Sequence, residues 1–214
     1  MPIIYLSPST QDWNPYVTGS GSEEYWMNRI ADAMEPYLRA NGIRYRRNDP
    51  DTSAASAIRE ANSGYYDFYL ALHSNAIGNG EPQNTARGII AFYYPTSTGG
   101  QRGAELIAEN LPNRVSTRAT TTLGEVARSR FPAVLVEIGY HDNYADALWV
   151  EGHVEAIAQQ LVRALTEYFG LPFIQPMDPV QGIVRVDYGT LNLRSAPSSS
   201  GTIIANLPNG AAVT

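Results

Sequence analysis

Phe68-Tyr69-Leu70-Ala71-Leu72-His73-Ser74-Asn75 runs five apolar residues into a histidine, and Pro132-Ala133-Val134-Leu135-Val136-Glu137 repeats the pattern with a carboxylate at its end. Short apolar runs without polar alternation are the signature of strands covered on both faces. Similar runs stand at Ile3 to Leu6 and Gly88 to Tyr94, a short stretch from Ile43 to Arg46 alternates with arginine, and stretches of helical periodicity separate them. Strands alternating with helices predict an α/β fold: a mostly parallel twisted sheet with helices on both faces. Ligands of such sheets bind at the carboxyl ends of the strands. His73 and Glu137 both fall there.

The first helix is predicted over Glu23 to Asn41, with Ser22 as cap, Met27, Ile30, Ala31, Met34 and Leu38 as its buried stripe, and Gly42 ending it. Pro36 inside it predicts a kink or an early end. A second helix is predicted over Gln101 to Leu111 and a long one from Ala145 to Phe169, which closes a first domain at residues 1–171. Residues 172–181, rich in proline, read as an extended linker. Residues 182–214 change character to short strands and turns, a C-terminal all-β segment. At about 35 residues this tail is below the size at which a module without metal or disulfide usually folds alone.

Composition narrows the function. Of 214 residues 43% are hydrophobic and 17% charged, and the net charge of −6 comes without any Lys/Arg run, so a nucleic-acid partner is not expected. The absence of cysteine removes disulfides, thiolate ligands and a thiol nucleophile, leaving histidine and carboxylates for any metal. No stretch approaches the ~18 apolar residues of a membrane span. Met1-Pro2-Ile3-Ile4 leads straight into strand-like sequence, and no signal peptide is expected in this chain.

Of the three histidines, His73 at its strand end reads as a site residue or a capped turn, His141 lies four residues beyond Glu137, and His153 falls within the last predicted helix. Glu137 is costly so close to a buried strand unless it is paired, protonated or near a metal. Glu24 shares helical spacing with Met27, Ala31, Met34 and Leu38, which predicts that it points toward the sheet with Glu23 as its solvent-facing twin. An N-terminal charge favoured by the helix dipole is the plainer reading of Glu24. Two carboxylates and a histidine at one end of one sheet fit a catalytic zinc with a general base beside it.

The segments Phe68 to Asn75 and Pro132 to Tyr140, with Asn62 and Asn143, resemble the corresponding segments of zinc N-acetylmuramoyl-L-alanine amidases over about residues 3 to 170. The resemblance implies a peptidoglycan hydrolase that cuts the amide between the lactyl group of N-acetylmuramic acid and the first L-alanine of the stem peptide. It implies Zn2+ held by Glu24 and His73, with Glu137 as the base that activates water. Its place of action is the cell wall, and a chain without a leader there fits a phage-type lysin, release by an unconventional route or a trimmed leader. One departure stands out. The family's first metal ligand is a histidine after the first strand, where this chain reads Leu6-Ser7-Pro8-Ser9-Thr10-Gln11. Candidates for the third donor are His141 first, then Gln11, Thr10 and Asp142. Without that donor the expectation becomes a catalytically impaired wall-binding protein on an amidase fold. Leu191 to Pro197, followed by Ile203 to Gly210, resembles the opening half of a bacterial SH3-like wall-binding domain.

Overall fold

The computed structural model describes residues 1–78, 81–113, 115–176, 182–195 and 200–213. They fall into two compact units, Met1–Gln175 and Pro176–Thr214.

In the first unit β1 (Ile3–Pro8), β2 (Arg44–Arg47), β3 (Phe68–Asn75), β4 (Ile89–Tyr93), β5 (Val115–Ala119) and β6 (Ala133–Tyr140) form one sheet in the order β2-β1-β3-β6-β4-β5. β2, β1, β3 and β6 run parallel, and β4 joins β6 antiparallel while pairing β5 in parallel. The mostly parallel sheet expected from the sequence is therefore present, with an antiparallel edge pair.

Alternation along the strands sorts side chains onto two faces. Ile4, Leu6, Phe68, Leu70, Leu72, Val134 and Val136 pack with α1 (Glu23–Ala40), α3 (Thr98–Asn110) and α6 (Val154–Phe169) in the larger core cluster. Burying each such Leu or Ile contributes about 1.5–3 kcal/mol. Tyr5, Tyr69, Ala71, Ala133 and Leu135 face the other way, against α2 (Ala54–Ser63) and the four-residue α4 (Gly124–Ala127). Gly103 lets α3 approach closely: a Cβ there would lie 2.6 Å from the tip of the Phe68 ring.

Several elements depart from expectation. α1 continues through Pro36 to Ala40. The long helix predicted from Ala145 is two, α5 (Tyr144–Gly152) and α6, parted at His153, whose ring bonds the Trp149 carbonyl at 2.7 Å. Thus His153 is a junction residue between helices. Leu171 and Phe173, read from sequence as the end of the domain and its linker, pack on the large core, with Phe173 stacked on Tyr37. In the second unit β7 (Gly182–Ile183) pairs β10 (Ala212–Val213), and β8 (Thr190–Arg194) pairs β9 (Ile203–Pro208), both antiparallel. Met177 to Gln181 of the expected linker and Ala196-Pro197 of the tail motif lie outside the described residues.

Candidate active site

Ser7, His73 and Glu137 share the parity of Tyr5, Tyr69 and Leu135, so they continue the α2–α4 face to the carboxyl end of the sheet. His73 and Glu137 are register partners on adjacent parallel strands. Just past them β6 carries an extra residue relative to β3, and Gly139 takes φ +73° at that bulge. The positive φ and the Asp146 Cβ, 3.2 Å from where a Gly139 Cβ would be, both favour glycine.

A third group arrives from α1. Ser22 caps that helix, and the loop before it folds back so that the Glu23 amide donates to the Asn14 carbonyl at 2.9 Å. It is Glu23, and not Glu24, that enters the site: Glu23 is 2% exposed and its Oε1 lies 2.9 Å from His73 Nδ1. In the observed stripe Tyr37 joins Met27, Ile30, Ala31, Met34 and Leu38, and at about 100° per residue Glu23 falls roughly 20° from its centre and Glu24 roughly 80° away. Glu24 instead faces a cleft of about 340 Å³ that it lines with Thr10, Asp12, Trp13, Pro50, Asp51 and Thr52. There burial and then the charges of Asp12 and Asp51 push its carboxyl up.

The other ring nitrogen of His73 meets a residue the sequence did not suggest. Glu125 Oε2 on α4 stands 2.7 Å from His73 Nε2. Glu125 Oε1 accepts from the Ser7 hydroxyl at 2.7 Å and the Tyr69 hydroxyl at 2.8 Å. Asn62 steadies the turn after α4, donating to the Arg128 carbonyl at 2.8 Å and accepting from the Arg130 amide at 2.9 Å. Burial disfavours a charged His73 ring, but Glu125 and Glu23 outweigh it and hold its pKa well above the usual value. Burial likewise works against both carboxylates, and His73 overrides it, holding each below the ordinary carboxylate value.

Glu137 is the contrast. Its Oε2 is buried and has no hydrogen-bond partner among the described residues. Burial pushes its pKa to about 7, His73 pulls partly downward, and the charges of Glu23 and Glu125 push up again. A carboxyl titrating there is suited to take up and return a proton near neutral pH.

His141, the leading sequence candidate for a third metal donor, is placed differently. Its Nδ1 lies 3.1 Å from the Ser74 hydroxyl and 2.9 Å from the Ser74 carbonyl, and its ring stacks on Tyr16. Asp142 binds the Ile77 amide and the Gln83 side chain. Both are occupied in holding the loop after β6. Gln11 is the residue beside the pair, with Nε2 3.3 Å from Glu23 Oε1 and 3.4 Å from His73 Nδ1. Asn14 holds the far side, donating to Gln11 Oε1 and Glu23 Oε2.

Among the described residues no three His, Asp or Glu side chains surround a common point as a metal would require. The reason is that Glu23 and Glu125 lie on opposite nitrogens of one ring. The edge between Glu23 Oε1 and His73 Nδ1 is closed at hydrogen-bond distance, 2.9 Å. Two donors at ~2.0–2.1 Å from a tetrahedral ion stand roughly 3.3 Å apart, so this edge would have to open to take a zinc; the orphaned Glu137 oxygen belongs to the same site. The side chain beside that edge is the neutral Gln11 amide, which turns its Nε2 toward it.

The sequence profile of the N-acetylmuramoyl-L-alanine amidase family (Amidase_3) matches residues 10–167. N-acetylmuramoyl-L-alanine amidase LytC of Bacillus subtilis (strain 168) is 28% identical over an alignment of 155 positions that covers 67% of this chain. The chain spans 30% of that relative's length. Among solved structures, the catalytic domain of the amidase CwlV from Bacillus (Paenibacillus) polymyxa var. colistinus superposes with a TM-score of 0.71 at 15% identity, over 80% of this chain and all of that one. An N-acetylmuramoyl-L-alanine amidase from Clostridium difficile 630 gives 0.69 at 20% identity, over 79% of this chain and 97% of that one.

Proposed function

The chain belongs to the N-acetylmuramoyl-L-alanine amidase family, and on that premise we propose that it hydrolyses the amide between the N-acetylmuramic acid lactyl group and the L-alanine of the peptidoglycan stem. The observation that carries the reading is Glu137: a buried carboxyl with an unpartnered oxygen and a pKa raised to about 7, in register with His73 at the ligand-binding edge of the sheet.

Glu23 and His73 would hold the zinc, and Gln11 would supply a neutral third contact with its amide oxygen turned to that edge. Zinc bound there supplies Lewis acidity to the scissile carbonyl and makes hydroxide available from water near neutral pH. Glu137 accepts the proton of the attacking water and returns it to the departing alanine nitrogen, so one carboxyl serves as base and then acid. Burial raises that carboxyl to about 7, so near neutral pH its ionised form can take the proton and its protonated form can return it. The substrate places the protein at the cell wall.

For the second unit we propose the opening part of an SH3-like wall-binding module. The β8–β9 hairpin carries the Leu191 to Arg194 and Ile203 to Pro208 segments on which that resemblance rests.

Glu137→Gln tests the reading: the variant is expected to bind zinc as the wild type does and to lose hydrolysis of purified peptidoglycan. Retained turnover removes Glu137 from the mechanism. A wild-type protein that takes up no zinc supports instead a non-catalytic wall-binding protein, the reading that the missing imidazole at Gln11 favours.

A further inference from the structure

We propose that Arg118 is a specificity-determining residue: on the open sheet face beside Glu137 it binds the free carboxylate of the second residue of the peptide stem. The inference rests on the amidase reading above and needs no metal. Cross-strand register places Arg118 there. Side chains of residues paired directly across a sheet stand on one face. Glu137 pairs Ile90 of β4, and Ile90 pairs Ser116 of β5. Two residues on, Phe92 pairs Leu135 on one side and Arg118 on the other. Glu137, Ile90, Phe92, Ser116 and Arg118 therefore share the face that carries His73.

Ala57 and Ala61 of α2 and Val126 of α4 cover that face over Tyr5, Tyr69, Ala71 and Leu135. Toward β5 the cover ends: Phe92 is half-buried, and Ser116 and Arg118 are exposed. The Arg118 guanidinium lies over the Phe92 ring, 5.9 Å from its centroid, which turns the charge from the edge strand back toward β6. Among the described residues it pairs with no carboxylate. A guanidinium stacked on a ring keeps its N–H fork free for bidentate pairing with a carboxylate. Tyr140 links the two ends of the face: burial and then the Glu137 charge push its phenol up, and the Arg118 charge pulls it back. Reach selects the anion. Phe92 stands one strand and two residues from Glu137, roughly 8 Å at ordinary strand spacing and rise. From the lactyl carbonyl served by Glu137, the second stem residue lies about 7 Å along an extended chain. In peptidoglycan that residue is a D-glutamate linked onward through its side chain, so its α-carboxylate is free or capped as an amide. The sugar and the first alanine offer no anion.

The test is calorimetric binding of two soluble muropeptides to the full chain, with a chelator present so that nothing is turned over. One is N-acetylmuramoyl-L-alanyl-γ-D-glutamyl-L-lysine with the glutamate α-carboxylate free, and the other is the same compound with that carboxylate amidated. Wild type is expected to bind the free acid about tenfold more tightly. Arg118→Gln is expected to weaken the acid about tenfold and leave the amide unchanged, so that the preference disappears. Arg118→Lys should keep part of it, since the charge remains without the fork. A merely structural Arg118 would shift both ligands alike. Equal affinity of wild type for the two forms, or a preference that survives Arg118→Gln, overturns the inference and leaves the amidase reading standing. Wild type that binds neither form contradicts the amidase reading and the inference with it.

Discussion

Replacing Glu137 by glutamine should make the stability difference between variant and wild type depend on pH in one direction. In the metal-free folded chain the Glu137 pKa rises from its ordinary 4.5 to about 7, chiefly because the carboxyl is buried. Below pH 4.5 the group is protonated in both folded and unfolded chains and the two states are treated alike. As pH rises from 4.5 the unfolded chain ionises while the folded one keeps its proton, so wild type loses stability until the folded carboxyl also ionises near pH 7. The interval spans roughly 2.5 pH units at ~1.4 kcal/mol each, about 3 kcal/mol in all. Glutamine does not ionise and escapes the loss. Urea unfolding of both proteins in the presence of a chelator, from pH 5 to pH 8.5, should therefore show the variant gaining about 2–3 kcal/mol on wild type across that range. A difference that stays constant with pH refutes the burial argument, and one that moves the opposite way places Glu137 beside a cation instead.

Four further substitutions separate the residues around His73. Glu23→Gln should reduce zinc affinity at least tenfold, whereas Glu24→Gln should leave it unchanged; chelator competition on both distinguishes the inward carboxylate from its neighbour. Gln11→His restores an imidazole at the neutral corner of the site and should tighten zinc about tenfold in the same assay; weaker binding would place the third donor elsewhere. His141→Ala should cost about 1–3 kcal/mol of stability by removing the Ser74 contact and the stacking on Tyr16, with zinc affinity unchanged. Lost zinc with intact stability would restore His141 as a ligand.

The parts of the site that the sequence discloses are those at the ends of buried strands. His73 and Glu137 interrupt apolar runs at the carboxyl edge, and period-2 alternation then puts them on one face. Glu23 was within reach of the same reasoning, but membership of a helical i, i+3, i+7 series is too coarse: Glu24 meets it and still lies roughly 80° from the stripe centre at 100° per residue. Glu125 left no trace because α4 has four residues, far too few for a period of 3.6 to register. β5, Val115–Ala119, is largely exposed at the sheet edge and reads as loop. The break at His153 has neither proline nor a left-handed residue to announce it; Gly152 and the His153 ring bonded to Trp149 mark it in the structure. The sequence leaves the third metal contact open among His141, Gln11, Thr10 and Asp142, and tertiary packing distinguishes them, by committing His141 to Ser74, Asp142 to Ile77 and Gln83, and Thr10 to the cleft beside Glu24.

The most direct measurement is the chemistry of the ends released from purified peptidoglycan. Incubated with the zinc-loaded chain, the polymer should acquire new N-terminal alanine, detected by amino-group labelling and hydrolysis, with no increase in reducing sugar ends. The Glu137→Gln protein should release neither. New reducing ends, or new amino termini other than alanine, would contradict the assignment of the scissile bond, and alanine release undiminished in Glu137→Gln would contradict the site.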